Sequence, residues 1–254
     1  MIYREKKIYS GNMLEVEIFP IEIYKRKQSR KRKEKESLPK QKNLNEKNSR
    51  KHLSRLLNTN FTDKDFFVTL SYSDNKRPKD EKRVSKDFEN FLKRLRRFLK
   101  KNNKEELKYI NVVEYDENIK IHNHMIMNGI IDISDLERIW GNGNVEVSNL
   151  RSNELGYEEL AKYLTKDPKG KKRWSQSRNL KKPKVKVNDF KFSKKKVNEL
   201  ANSQGERALF EKLYKGYTYR EYEVKVNEIT SYTHINIKLQ KLNNWRGERI
   251  NEYT

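Results

Sequence analysis

Two of the four histidines in this 254-residue chain stand two positions apart in the run IKIHNHMIM, residues 119–127. On a strand, residues two apart project from one face, so His122 and His124 point together while Asn123 points the other way. A helix would turn them about 200° apart. Two imidazoles on one strand face bind a divalent ion when a third ligand approaches from the neighbouring strand. The stretches LKYINVVEY and IKIHNHMIM are separated by DEN, a turn sequence, and read as a hairpin. Midway between Glu114 and His122 is Asn118, so an odd-length connection centred there sets Glu114 opposite His122 and on the same face. Two imidazoles and one carboxylate, with the rest of the shell open, suit Mg²⁺ or Mn²⁺ in nuclease chemistry or Zn²⁺ in a hydrolase. The bland alternative is a pair of polar residues on a half-wet strand, and the Glu114 register weighs against it.

Phosphate chemistry at such a site needs a nucleophile, and the following helix, YEELAKYLTK, offers a tyrosine. Tyr157, Leu160, Ala161 and Leu164 form its apolar face, and Tyr163 falls at the polar edge with Glu159 and Lys166. A phenol with a pKa near 10 attacks poorly unless the phosphate is polarised and a cation stabilises the developing charge. Lys166, nearly one turn later, is the candidate cation. With fourteen tyrosines in the chain, only the combination singles out Tyr163.

The composition narrows the chemistry further. Without cysteine there are no disulfides, thiolate zinc sites or cysteine nucleophiles. The net charge of +23 points to a polyanion, most simply nucleic acid. No run of about eighteen apolar residues occurs, and the start, MIYREKKIYS, lacks the apolar stretch of a signal peptide. A soluble, cytoplasmic protein without a membrane role is expected. Residues 162–187 carry eleven basic side chains and one acidic one around Trp174. A basic loop with an aromatic suits single-stranded nucleic acid, so Lys162, Lys171, Lys172, Arg173, Trp174, Arg178, Lys181 and Lys182 are candidate DNA contacts.

These residues need a scaffold. Phe66, Val68, Leu70 and Tyr72 share one face of a strand, with Thr69 and Ser71 on the other. SKDFENFLKRLRRFLKK is a helix with Ser85 as candidate N-cap. The hairpin follows, then a short helix at SDLERIW, a short strand at NVEVS and the Tyr163 helix. This order predicts an α+β fold, an antiparallel sheet packed by helices, with its core in the middle of the chain. Before it, MLEVEIFPIEIY reads as a strand broken by Pro20. Residues 25–55, with fourteen basic and three acidic side chains, read as a linker or basic arm. After it come a helix around 193–214 and an alternating stretch. The expected division is 1–60, an N-terminal strand segment and basic linker; 61–187, the core with its basic loop; and 188–254, a C-terminal helix and strand extension.

FFVTLSY, VEYDENIKIHNHMIM and YLTK, in that order and followed by RWSQSRNLKKP, resemble the rolling-circle replication initiators of small single-stranded DNA phages and plasmids, within the HUH endonuclease superfamily. The likeness covers roughly residues 62–185. It implies a five-stranded antiparallel sheet related to the RNA-recognition-motif fold, with the histidine pair on a central strand and the tyrosine on a facing helix. It also implies a reaction: Tyr163 attacks the scissile phosphodiester at an origin, leaving a free 3′-hydroxyl and a 5′-phosphotyrosyl link. His122, His124 and Glu114 would hold the metal, Mg²⁺ or Mn²⁺. The implied partners are single-stranded or melted origin DNA and a host helicase and polymerase, since the chain has no phosphate-binding loop of its own. Two departures stand out. Asn123 occupies a position usually hydrophobic in the superfamily, and Glu159 stands where two-tyrosine initiators carry the earlier nucleophile, which implies a single-tyrosine enzyme. A tyrosine transposase or a relaxase would use the same site on other DNA, and a non-enzymatic basic nucleic-acid-binding protein would have merely structural histidines.

Overall fold

The computed structural model describes residues 2–22, 39–78, 80–116, 119–166, 174–227 and 230–242. In chain order the elements are β1 (Ile2–Ser10), β2 (Met13–Ile21), α1 (Pro39–Asn60), β3 (Phe66–Ser71), α2 (Glu81–Lys101), β4 (Tyr109–Asp116), β5 (Ile119–Met127), α3 (Ile133–Trp140), β6 (Val145–Asn149), α4 (Glu158–Leu164), β7 (Ser175–Gln176), β8 (Lys184–Phe192), α5 (Lys194–Asn202), α6 (Arg207–Leu213), β9 (Tyr217–Val226) and β10 (Thr233–Lys241). They form two antiparallel five-stranded sheets, ordered β6-β3-β5-β4-β7 and β8-β1-β2-β10-β9, an α+β fold. Two compact units result. The central unit comprises Asn60–Ser152 and Glu159–Lys181, and the terminal unit comprises Met1–Thr59, Asn153–Glu158 and Lys182–Thr254. Among the described residues no helix is long and apolar enough to cross a membrane.

In the central unit, β3-α2-β4-β5-α3-β6 is a ferredoxin-like βαββαβ arrangement that brings β5 to the middle of the sheet. One sheet face is apolar because alternate residues of β3 and β5 are: Val68, Leu70, Met125 and Met127 are fully buried against Phe91, Leu92, Leu95 and Leu99 of α2 and Leu136 and Trp140 of α3. Each large apolar side chain removed from water here contributes about 1.5–3 kcal/mol. Helix α2 begins a turn earlier than its sequence suggests. Asp80, not Ser85, is the N-cap and accepts from the Arg83 amide at 2.7 Å, because Val84 is already fully buried and extends the apolar stripe back by one turn.

The terminal unit departs from the sequence reading in several ways. First, residues 39–60 form helix α1 and not a linker; Leu53, Leu56 and Leu57 are buried and Arg55 donates to Glu15 at 2.7 Å and Glu17 at 2.8 Å. Residues 25–38 of the expected basic arm lie outside the described residues. Second, β2 runs through Pro20, which pairs with Tyr3. Pairing with β10 ends at Ile18, so the missing amide hydrogen of Pro20 costs no bond on that side. Third, there is a second core: the N-terminal β1–β2 hairpin and the C-terminal β9–β10 hairpin share one sheet, burying Leu14, Val16, Ile18, Ile235, Ile237 and Leu239 against Val197, Leu200 and Phe210. The helix expected over 193–214 is two helices. Gly205 separates them at φ 83°, and a Cβ there would lie 2.8 Å from the Tyr219 hydroxyl. In the β1–β2 turn, Gly11 sits at φ 57°, where a Cβ would strike the Asn58 carbonyl at 1.9 Å.

Candidate active site

The face of the central sheet away from α2 and α3 carries the chemistry. Glu114 of β4 pairs in register with His122 of β5, as the odd-length connection requires; Asn118, its centre, lies outside the described residues. On the other side of β5, Ser71 pairs with His122 and Thr69 with His124. The polar residues of three adjacent strands therefore share one face.

Their reactive atoms converge. His122 Nε2 is 3.0 Å from His124 Nε2, Glu114 Oε2 is 2.9 Å from His124 Nε2 and 3.2 Å from His122 Nε2, and the Tyr163 hydroxyl is 3.2 Å from His124 Nε2. One candidate ligand atom from each of Glu114, His122 and His124 lies within 4.8 Å of the others. Two imidazole nitrogens and a carboxylate oxygen this close cannot all be satisfied by the protons available to them. An octahedral ion with bonds of about 2.1 Å holds adjacent ligand atoms about 3 Å apart, so the donor set fits such an ion in both chemistry and spacing. Burial lowers the pKa of the His124 imidazole, reinforced by neighbouring His122 and opposed by Glu114. That direction favours the neutral ring, whose lone pair a metal needs.

A second set of side chains fixes His124. Its Nδ1 lies 3.3 Å from Thr69 Oγ1. If Nδ1–H donates to the threonine oxygen, the lone pair is left on Nε2, facing Glu114 and Tyr163. Phe67 stacks on the His124 ring at 5.2 Å and meets the Tyr163 ring edge-on at 6.3 Å. Phe67 and Thr69 were missed by sequence reasoning. Their alternation on β3 was visible, but the β3–β5 register, which brings them beside His124, is set across more than fifty residues of chain.

Helix α4 presents Tyr163 as the wheel predicts, with Ala161 and Leu164 buried and the tyrosine 51% exposed. Burial raises the phenol's pKa, and the Glu114 charge adds to this; the hydroxyl holds its proton near neutral pH. The helix ends at Leu164, and the Lys166 amide closes a turn on the Tyr163 carbonyl, which keeps residues three apart on one side of the chain; among the described residues the Lys166 side chain makes no hydrogen bond with the cluster. Its side chain is exposed. Asn123 projects to the opposite, core face, where it is fully buried and accepts from Asn111 Nδ2 at 3.2 Å.

Of the candidate DNA contacts, Lys162, Arg178, Lys181 and Lys182 are exposed and Trp174 is half-buried, donating to Gln176 Oε1 at 2.8 Å. Lys171, Lys172 and Arg173 lie outside the described residues. The loop is fastened to β4 by Ser177, whose hydroxyl accepts from the Tyr109 amide at 3.0 Å and whose amide donates to the Tyr109 carbonyl.

Fold and site together define a class: a ferredoxin-like sheet with a two-histidine, one-carboxylate cluster on its central strands and a phenol brought up by a helix. Residues 65–168 of this chain match the family model for replication-associated proteins of the ORF2 type, which bears out the resemblance read from the motifs and points to a replication-initiator role. That segment contains every member of the cluster. No curated protein and no solved structure matches the chain.

Proposed function

We propose that the protein is a rolling-circle replication initiator that nicks and rejoins single-stranded origin DNA through a phosphotyrosine. The observation that carries this reading is the meeting of Glu114, His122, His124 and the Tyr163 hydroxyl at one point, within a segment that matches a replication-associated family. Glu114, His122 and His124 would hold Mg²⁺ or Mn²⁺. Bound there, such an ion supplies a Lewis acid that draws charge from a phosphate oxygen. Tyr163 is the nucleophile: its oxygen bonds to phosphorus, its proton passes to solvent at the half-exposed ring, and the bond from phosphorus to the 3′ oxygen breaks. The 3′ oxygen leaves as a hydroxyl after taking a proton, and the 5′ phosphate stays on the tyrosine. That linkage conserves the bond's energy, so a 3′-hydroxyl can later displace the tyrosine without ATP. Thr69 and Phe67 hold His124, and Phe67 also packs edge-on against the Tyr163 ring. Lys162, Trp174, Arg178, Lys181 and Lys182 are suited to hold the strand, the cations on phosphates and the indole on a base.

The test is a nicking assay on single-stranded DNA from the region flanking the gene, with Mn²⁺. The expected product is an SDS-stable adduct with the fragment that carries the 5′ phosphate at the cut, absent with Tyr163→Phe and with chelator. An adduct that survives Tyr163→Phe, or cleavage that never yields an adduct, overturns the proposal.

A further inference from the structure

Strand β8 forms one edge of the terminal unit's sheet, and its surface is unusual for an edge. Val185 and Val187 are half exposed and Phe190 is 91% exposed. Edge strands normally avoid bare apolar side chains, which invite pairing with other chains. The exposure of Phe190 has a structural cause. The register between β1 and β8 shifts from Glu5↔Asn188 to Tyr3↔Phe192, so residues 189–191 bulge opposite Arg4 alone. Bulges re-aim side chains.

Both neighbours of Phe190 are tied down. Arg4 donates two hydrogen bonds of 2.7 Å to the Asp189 carboxylate. Lys191 Nζ donates to Glu5 Oε1 at 2.5 Å, and the Tyr214 hydroxyl donates to the same oxygen at 2.8 Å. The Glu5 side chain is fully buried, and burying an ion pair carries a desolvation cost that hydrophobic packing would avoid. The result is an aromatic ring held out in solvent on a fixed support.

The charge around this ring is one-sided. Residues 184–196 contain six lysines and one acidic residue, Asp189, whose charge Arg4 already meets; of the lysines, Lys191 meets Glu5 and Lys196 meets Glu199. Lys184 and Lys186 are exposed and alternate with the two valines. The other edge of the same sheet, β9, is balanced: it carries Arg220 and Lys225 against Glu221 and Glu223, and Lys225 Nζ lies 2.8 Å from Glu223.

We propose that the β8 edge is a second binding surface for single-stranded DNA, with Phe190 stacking on a base and Lys184 and Lys186 meeting phosphates. A polyanion complements the lysines, and an exposed ring stacks on any base whose face is free. In a duplex those faces are covered, and a second copy of this edge would set lysine against lysine. The proposal rests on the reading of the protein as a DNA enzyme and extends it beyond residues 65–168.

The test measures binding, so it is independent of cleavage. Full-length Tyr163→Phe protein is titrated into labelled oligo-dT without divalent ion and read by fluorescence anisotropy. Adding Phe190→Ala should weaken binding roughly fivefold to hundredfold, and Phe190→Trp should restore it with quenching of the new fluorescence. Replacing Lys184 and Lys186 by Gln should lower the slope of log affinity against log salt by about 1.4. Thermal melting of Phe190→Ala should match the parent, because the ring contributes little to the core. Unchanged oligo-dT binding in both variants overturns the proposal. So does an equal loss of duplex binding, or a dimer that Phe190→Ala dissociates while oligo-dT binding stays unchanged. If nicking fails but this binding behaves as stated, the surface stands and the nickase reading falls.

Discussion

Both units are built on five antiparallel strands faced by helices, and both carry ion pairs along their helices, such as Arg83 with Asp87 and Arg207 with Glu211, but the two sheets differ in how their carboxylates are met. In the terminal unit, carboxylates meet cations. Glu15 and Glu17 meet Arg55, Glu5 meets Lys191, Glu211 meets Arg207, and Glu158 and Glu221 meet Lys238. In the central unit, the Glu114 carboxylate faces two imidazoles and no lysine or arginine among the described residues. Paired charges hold elements together and are spent in doing so. A carboxylate and two imidazole nitrogens facing one another are a donor set that could hold a cation. Fold class alone does not distinguish the two sheets; the lack of a lysine or arginine partner for Glu114 among the described residues does.

This contrast can be broken experimentally. The largest effect should come from His124→Ala, which should reduce nicking by on the order of 10⁴-fold or more while leaving salt-sensitive DNA binding in place. Equal loss of binding would make the histidine structural and erase the difference between the sheets. Next is Phe210→Ala in the terminal core, expected to cost about 3–5 kcal/mol in denaturant unfolding. Native protein should keep the stabilisation that Mn²⁺ gives wild type; losing that response would mean the terminal sheet supports the site as well as its own fold. Thr69→Val should weaken Mn²⁺ binding by roughly 10- to 100-fold in calorimetry, with Thr69→Ser retaining most of it. No change in affinity would remove threonine from the site.

The smallest effect tests the paired charges. Glu211 accepts from the Thr218 hydroxyl, the Tyr219 amide and Arg207, in that order of influence, and these bonds lower its pKa to about 2 from an ordinary 4.5. A depressed carboxylate pKa contributes stability that is present above the unfolded value and is lost as pH falls through the folded one. Wild type should therefore lose the Glu211 contribution between about pH 4.5 and about 2. Glu211→Gln should be less stable at pH 7 by about 1 kcal/mol after solvent screening, and the difference should vanish at the acid end. A pH-independent difference would mean that packing, not charge, fastens α6 to β9.

The central unit was largely legible because its elements are amphipathic and local. β3 alternates cleanly, α2 carries an apolar stripe, and the Glu114–His122 register follows from the parity of a short connection. β7 is two residues long and shows no periodicity. In the terminal unit, residues 184–187 of β8 read as the end of a basic loop because both faces of the strand are exposed there, so it lacks the polar–apolar contrast that marks a strand. α1 was hidden by the basic residues around Leu53, Leu56 and Leu57. The pairing of β2 with β10 joins residues more than two hundred positions apart, and no local pattern encodes that distance.

The buried amide of Asn123 has a mechanical consequence. It meets Asn111 on the core side of the same strand that turns both histidines outward. Were β5 to slide by one residue, Asn123 would swing to the open face, both imidazoles would be driven among the core side chains, and the one hydrogen bond between the two amides, whose Asn111 Oδ1 and Asn123 Nδ2 already lack partners among the described residues, would be lost. Val or Leu at that position would pack in the core but would not penalise the slip in this way. The asparagine that fits the hydrophobic pattern least well therefore adds to the cost of the slipped register, in which the histidines could not face Glu114.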